Sequence, residues 1–305
     1  MSKATQTKSK TSLKKAVRAF IQHDLSAWVL IIPSIILFFI VVWKPIIIGV
    51  VYSFFKLRGF DPVQFVGLKN YIDVISDTDF VMTLLNSVKY VVWAVIIGFL
   101  TPFIVAVLLN EVVHFKGFFK ISVYLPAVVP AIATYMVWYY LFLPGDAGVL
   151  NVVLQKLGMQ SFDWLQNKSA VIPLLTVTTT WHGMGSAALV YLAGLQGVNT
   201  ELYEACKIDG GGFFTRIRIV MLPFMKDTML LMLIRMMIRV FQILEMPLVM
   251  TGGGPNRASL SMGLQSYRYA FEYGQFDKSM AMSVITFIIL LCLTFVYARA
   301  QKHND

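Results

Sequence analysis

Charge is scarce in this sequence. Asp, Glu, Lys and Arg make up 14% of its 305 residues, against 57% hydrophobic, where a soluble domain carries about a quarter charged. The shortfall excludes an ordinary soluble domain and indicates a polytopic membrane protein of one domain. Cysteine is nearly missing. Cys206 and Cys292 give no support for a disulfide or a metal site. The four histidines, His23, His114, His182 and His303, have no metal-ligand spacing. No Gly-x-x-x-x-Gly-Lys-[Ser/Thr] occurs. The glycine runs Gly210–Gly212 and Gly252–Gly254 lack the following Lys-Ser/Thr and read as turns. If ATP drives this protein, another chain supplies the site. No Ser/His/Asp set or carboxylate pair stands out, which disfavours a hydrolase in the bilayer. The net charge of +10 follows from the Lys/Arg bias of cytoplasmic loops and does not imply nucleic-acid binding.

Hydrophobic residues are concentrated in six runs of span length, about 26–54, 87–110, 119–143, 171–195, 227–250 and 279–299. Lys44-Pro45 interrupts the first and predicts a kink or tilt there. Residues 1–24 are polar, with Lys3, Lys8, Lys10, Lys14, Lys15 and Arg18, and read as a basic cytoplasmic tail ahead of a 25–305 membrane domain. A cleaved leader is disfavoured, because the following run is span-length and lacks a small-residue cleavage site. With the tail inside, alternating segments carry fourteen Lys/Arg inside and nine outside. Both termini are therefore expected in the cytoplasm, together with residues 200–223.

That segment reads as structured. Asn199 or Thr200 can cap a helix, and Glu201 suits its first turn. Leu202, Ala205 and Cys206 recur at helical spacing and predict one apolar face. Gly210 stands where a left-handed residue ends a helix. A second short helix is expected from Phe213, with Pro223 stopping it. The expectation is helix, glycine turn, helix, lying on the membrane surface.

Glu204-Ala205-Cys206, Gly210 and Val220-x-Leu222-Pro223 resemble the EAA loop of the membrane subunits of ABC importers. Cys206 and Val220 replace the usual Ala and Ile with similarly small or apolar side chains. Other parts are similar to the carbohydrate branch of that family: Val66-Gly67-Leu68-Lys69-Asn70-Tyr71, Tyr124-Leu125-Pro126 with Pro130 and Trp138, and Thr251-Gly252-Gly253-Gly254-Pro255. The resemblance implies an all-α permease of six spans with a coupling helix that docks on an ATP-hydrolysing subunit. Glu204, Ala205, Gly210, Leu222 and Pro223 would carry that coupling. It further implies a second related permease, two ATPase subunits that bind ATP and Mg, an extracellular sugar-binding protein and a saccharide substrate. This chain would hold no cofactor, and its place would be the plasma or inner membrane of a prokaryote.

Candidate path residues come from the spans. Arg235, Arg239, Gln242 and Glu245 fall on one helical stripe, and charges at membrane depth face a cavity or a partner. An acidic saccharide would suit two arginines; pairing with acidic groups of the bundle or of the second permease is the other reading. Trp138 and Trp181 could stack on sugar faces or simply pack. His182, beside Gly183 and Gly185, faces either the path or a packed interior. A stand-alone ion-coupled secondary transporter is the alternative function. It predicts intramembrane carboxylates and an inverted repeat; one such carboxylate, Glu245, is present and no repeat is evident.

Overall fold

Backbone groups surrounded by hydrocarbon must be satisfied within their own segment, so apolar runs of this length form helices. The computed structural model describes residues 25–301, and the basic tail, Lys302, His23 and His303 lie outside them. The first apolar run forms α1 (Leu25–Phe38), a π turn (Phe39–Trp43) and α2 (Lys44–Tyr52). The interruption at Lys44-Pro45 is absorbed by the π turn, with Pro45 in the first turn of α2, where its missing N–H costs little. A two-stranded antiparallel hairpin, β1 (Phe55–Arg58) and β2 (Asp61–Phe65), precedes α3 (Lys69–Ile75). Asn70 explains the neighbouring motif: its buried amide donates to the Ser53 and Phe55 carbonyls at 2.9 and 2.8 Å, fixing the strand to the helix.

A long helical stretch follows as α4 (Thr78–Trp93), a π segment (Ala94–Phe99) and α5 (Leu100–Glu111). Then come α6 (Lys116–Val128), α7 (Ala131–Leu141), α8 (Val149–Lys156) and α9 (Val171–Leu195). The glycine-turn region holds α10 (Thr200–Ile208) and α11 (Phe213–Arg216). A π segment (Ile217–Met221) leads into α12 (Leu222–Phe241), and α13 (Glu245–Thr251), α14 (Met262–Tyr267) and α15 (Phe276–Gln301) complete the chain.

Among the described residues three stretches are long and apolar enough to cross a membrane: Trp28–Tyr52, Thr78–Glu111 and Phe276–Phe295. Two expected spans differ from the sequence reading. The 119–143 run is broken into α6 and α7, bent by 92°. Pro130 lacks an N–H and favours an extended residue before it, and Val129 is extended. The 227–250 run is broken between Phe241 and Glu245. The α9 bounds match expectation, although Thr178–His182 make its middle polar. α12 carries Lys226, Asp227, Arg235 and Arg239.

α9 is central to the bundle. Its Ala188, Tyr191, Leu192 and Leu195 pack with Phe103 and Ala106 of α5 and with Met221 and Met225. Higher up, Val171, Ile172 and Leu175 share a core with Tyr90, Tyr135, Val240 and Met246. Gly185 permits the α6–α9 crossing: a Cβ there would lie 2.2 Å from the Val123 carbonyl oxygen.

Candidate translocation site and coupling segment

The candidate coupling segment, residues 200–223, is built by local rules. Asn199 caps α10 by accepting the Glu201 N–H at 3.0 Å. At the other end Gly210 adopts φ +77°. Its N–H donates to the Lys207 carbonyl at 3.0 Å, and the Gly211 N–H donates to the Cys206 carbonyl at 2.8 Å. This pair of bonds is a Schellman closure, which needs a left-handed residue at the position of Gly210. Two sequence expectations are corrected here. Leu202 and Ala205 are exposed; Cys206 is half-buried as expected, and Tyr203 shares its inward face. The packed face is thus rotated, because Tyr203 joins the core around Phe103 and Tyr191. Nor does Pro223 stop a helix. It sits in the first turn of α12, and the chain is helical without a break from Phe213 to Phe241.

The outward surface of this segment is mixed. Glu201, Glu204 and Lys207 are exposed beside Leu202, Ala205, Ile208 (85% exposed) and Phe214 (81%). Arg216 ties the segment to the bundle, donating to Glu111 at 3.0 Å. Burial pushes the Tyr203 phenol up, Glu111 adds to the rise and Arg216 opposes it.

Further into the bundle a cavity of about 190 Å³ lies between α4–α5, α9 and α12. Tyr90, Ala94, Gly98 and Pro102 line one side; Thr176, Thr179, Thr180, Gly183 and Ser186 line another; Arg235, Met236 and Arg239 line the third. Arg235 and Arg239 are one turn apart, so α12 turns both toward the same space. The second lies beside Gly183, where a Cβ would make only ordinary contact, 3.9 Å from an Arg239 guanidinium nitrogen. Among the described residues the ion pairs are Arg216–Glu111, Arg257–Asp79 and Arg268–Glu272, and neither cavity arginine belongs to one. The Thr176 and Thr179 hydroxyls donate to the Ile172 and Leu175 carbonyls at 2.8 and 3.0 Å.

The other candidates fall elsewhere. Gln242 is the C-cap of α12 and Glu245 opens α13, so the four-residue stripe does not run along one helix. At a helix N-terminus a carboxylate is favoured by the exposed N–H groups, which accounts for Glu245. Trp138 and Trp181 pack on each other, with ring centroids 5.8 Å apart, outside the cavity lining. His182 lies against Tyr135 at 5.9 Å, with Nδ1 buried and unpartnered. The sequence reading missed Tyr90, Thr179, Thr180 and Ser186. The run Thr178-Thr179-Thr180 within a span was the available signal, since hydroxyls at membrane depth need partners.

Tyr90 also joins the cavity to the far end of the bundle. Its hydroxyl donates to the Ser259 carbonyl at 3.0 Å. Asn86 donates to the Arg257 and Leu260 carbonyls at 2.8 and 3.1 Å. The glycine-rich 251–261 segment is thereby fastened to α4.

Comparison with known proteins agrees with this architecture. Residues 98–305 match the family described as binding-protein-dependent transport system inner membrane component. The arabinooligosaccharides transport system permease protein AraP of Halalkalibacterium halodurans is 32% identical over 93% of this chain and 89% of its own. The trehalose/maltose transport system permease protein MalF of Thermococcus litoralis is 29% identical over 78% and 80%. Among solved structures, a chain of a bacterial ABC transporter involved in import of the acidic polysaccharide alginate superposes with TM-score 0.80. It is 21% identical and the match covers 93% of this chain and 99% of that one.

Proposed function

The chain belongs to the binding-protein-dependent transport system inner membrane components, and from that premise we propose that it is the permease subunit of an ATP-driven saccharide importer. The saccharide class follows the named activities of relatives such as AraP and MalF. One observation carries the mechanical part. The exposed α10 and its glycine turn lead into an unbroken helical run, Phe213–Phe241, that ends beside the arginine-lined cavity. At 1.5 Å per residue, Phe213 and Arg235 are about 33 Å apart along that run. A push on the outward face of α10 is therefore delivered to the cavity wall.

In this reading Glu204, Ala205 and Gly210 form the surface that docks on an ATPase subunit, and Leu222-Pro223 set the entry into α12. Two ATPase subunits bind ATP and Mg; this chain binds neither and performs no chemistry. A second related permease completes the path, and an extracellular binding protein delivers the sugar. The chain crosses the membrane six times with both termini in the cytoplasm. Closure of the ATPase pair draws the coupling segments together and turns the bundle between inward-facing and outward-facing states, a rigid-body switch.

Arg235 and Arg239 extend the proposal to the substrate. Each costs about 2.5–3.5 kcal/mol at the centre of a span, and neither has an ion-pair partner among the described residues. A carboxylate-bearing oligosaccharide would supply one, because a guanidinium binds carboxylates in bidentate fashion.

The coupling assignment is tested with Glu204→Lys in the complete complex. The change reverses a charge on an exposed face and leaves the fold intact, so assembly is retained while transport is lost. Normal substrate-stimulated ATP hydrolysis in that variant refutes the assignment.

A further inference from the structure

Glu111 is misplaced by the ordinary rules of helices. It is the last residue of α5, where the unpaired carbonyls repel a carboxylate. Its partner is 105 positions away: Arg216 Nη2 donates to Glu111 Oε2 at 3.0 Å. The side chains are only 17% and 30% exposed. The Tyr203 hydroxyl, from the coupling helix, is buried beside them with no hydrogen-bond partner, so the pair stands in a half-buried junction. Charge pairs shielded in this way are screened less by salt and hold their geometry better than surface pairs.

The junction has a particular position. Arg216 ends α11, immediately before the π segment Ile217–Met221. π segments inside helices are frequent at functional sites. Without the pair, the continuous run Phe213–Phe241 could flex at that segment when α10 is displaced. With it, α5 and the coupling segment are clamped together just before the π segment. α5 and the preceding π segment contribute Phe99 and Pro102 to the cavity wall, so both faces of the cavity then move with α10.

We propose that Glu111 and Arg216 form a strut between the coupling segment and α5 that converts displacement of α10 into movement of the cavity wall. They are positioning residues, and the proposal rests on the importer reading above. A permease lacking the strut still docks its ATPase subunits, but hydrolysis and transport come apart.

The test uses the complete transporter in proteoliposomes, measuring ATP hydrolysis and sugar uptake in the same preparation. Glu111→Gln and Arg216→Gln are each expected to assemble with the ATPase subunits. Both are expected to keep hydrolysis within about two-fold of wild type and to lower sugars moved per ATP at least ten-fold. The exchange variant Glu111→Arg/Arg216→Glu is expected to recover several-fold of that loss, which a purely structural defect would not. Unchanged sugars per ATP in the single variants refutes the strut. So does a parallel fall of uptake and hydrolysis that the exchange leaves uncorrected, or loss of the ATPase subunits on purification. If wild-type protein itself transports without ATPase subunits, the importer reading fails and the strut fails with it. A coupled wild type with coupled variants refutes the strut alone.

Discussion

Gly185 and Gly210 are glycines for unrelated reasons. A Cβ on Gly185 would collide with backbone atoms, 2.2 Å from the Val123 oxygen and 2.8 Å from Tyr124 Cα. A Cβ on Gly210 would meet nothing within 4 Å, yet the backbone there sits at φ +77°. Gly185→Ala therefore forces α6 away from α9, with an overpacking cost of about 1–3 kcal/mol. Gly210→Ala carries only left-handed strain, about 1–2 kcal/mol, and Gly210→Asn less, since Asn visits that region. In detergent, the apparent melting temperature should drop further for Gly185→Ala than for Gly210→Ala; the reverse order would mean the crossing is looser than described. Asp77 is a second instructive residue. Burial raises its carboxyl, but the Tyr269 hydroxyl at 2.6 Å, the Asp79 N–H, Lys278 and Arg257 outweigh that and hold it below the usual aspartate range. A depressed carboxyl stabilises the fold above the ordinary aspartate value of about 3.9 and loses that contribution as pH falls through the depressed value. Thermal stability should thus be flat on this account from pH 7 to 5 and decline below about pH 4. Asp77→Asn keeps an N-cap-competent side chain but removes the charge, so its acid decline should be shallower. An unchanged acid profile in that variant would show the carboxylate to be idle.

Among the elements, legibility depended on whether the signal was local. The bounds of α9 and the Asn199 cap followed from sequence, because span length and capping chemistry act within a few residues. The bend between α6 and α7 was signalled by Pro130 and was left unused. The gap between α12 and α13 has its own sign in Pro247, which has no N–H for the Ile243 carbonyl four residues back and would clash with it in a continuing helix. Tertiary contacts then hold the break: Ser261 donates to the freed Ile243 carbonyl, and Gly263 lets α14 lie against the Gln242 and Ile243 carbonyls. That is also why Arg235 and Arg239 share a cavity while Gln242 and Glu245 stand outside it. The packed face of α10 keeps Cys206 but exchanges Leu202 and Ala205 for Tyr203, because either set satisfies helical spacing and only the neighbouring α5 decides which face packs. With α12 as the element that presents both guanidiniums, Arg239→Gln should retain assembly and reduce uptake of an acidic oligosaccharide at least ten-fold, with a smaller effect on a neutral one. Equal loss for both sugars would make the arginines general lining, and a complex that falls apart would make them a contact to the second permease.

For the whole molecule the number of bilayer crossings follows from what lines the cavity. Among the described residues three helical stretches meet the length and apolarity needed, and a fourth does if the bent α6–α7 pair counts as one. α9 and α12 bring the total to six only if a polar middle and two arginines are tolerated at membrane depth. The structure supplies a reason for tolerance: Thr179, Thr180, Arg235 and Arg239 line the cavity between α9 and α12, Thr178 donates to the Leu174 carbonyl, and a span lining a polar path need not be apolar on every side. Six crossings put the hairpin and α3 on the same side as the glycine-rich 251–261 segment. The fold demands this independently, because Asp79 pairs with Arg257 and Tyr269 with Asp77. α10 and its glycine turn must then lie on the opposite side with Glu111. Single cysteines placed in a variant lacking Cys206 and Cys292 should therefore react with a membrane-impermeant maleimide in intact cells at exposed Phe60 and Phe271. Cysteines at Leu202, Ile208 and Phe214 should react only after the membrane is opened. Labelling of Ile208 in intact cells would place the coupling segment outside, out of reach of any ATPase, and would refute six crossings with cytoplasmic ends.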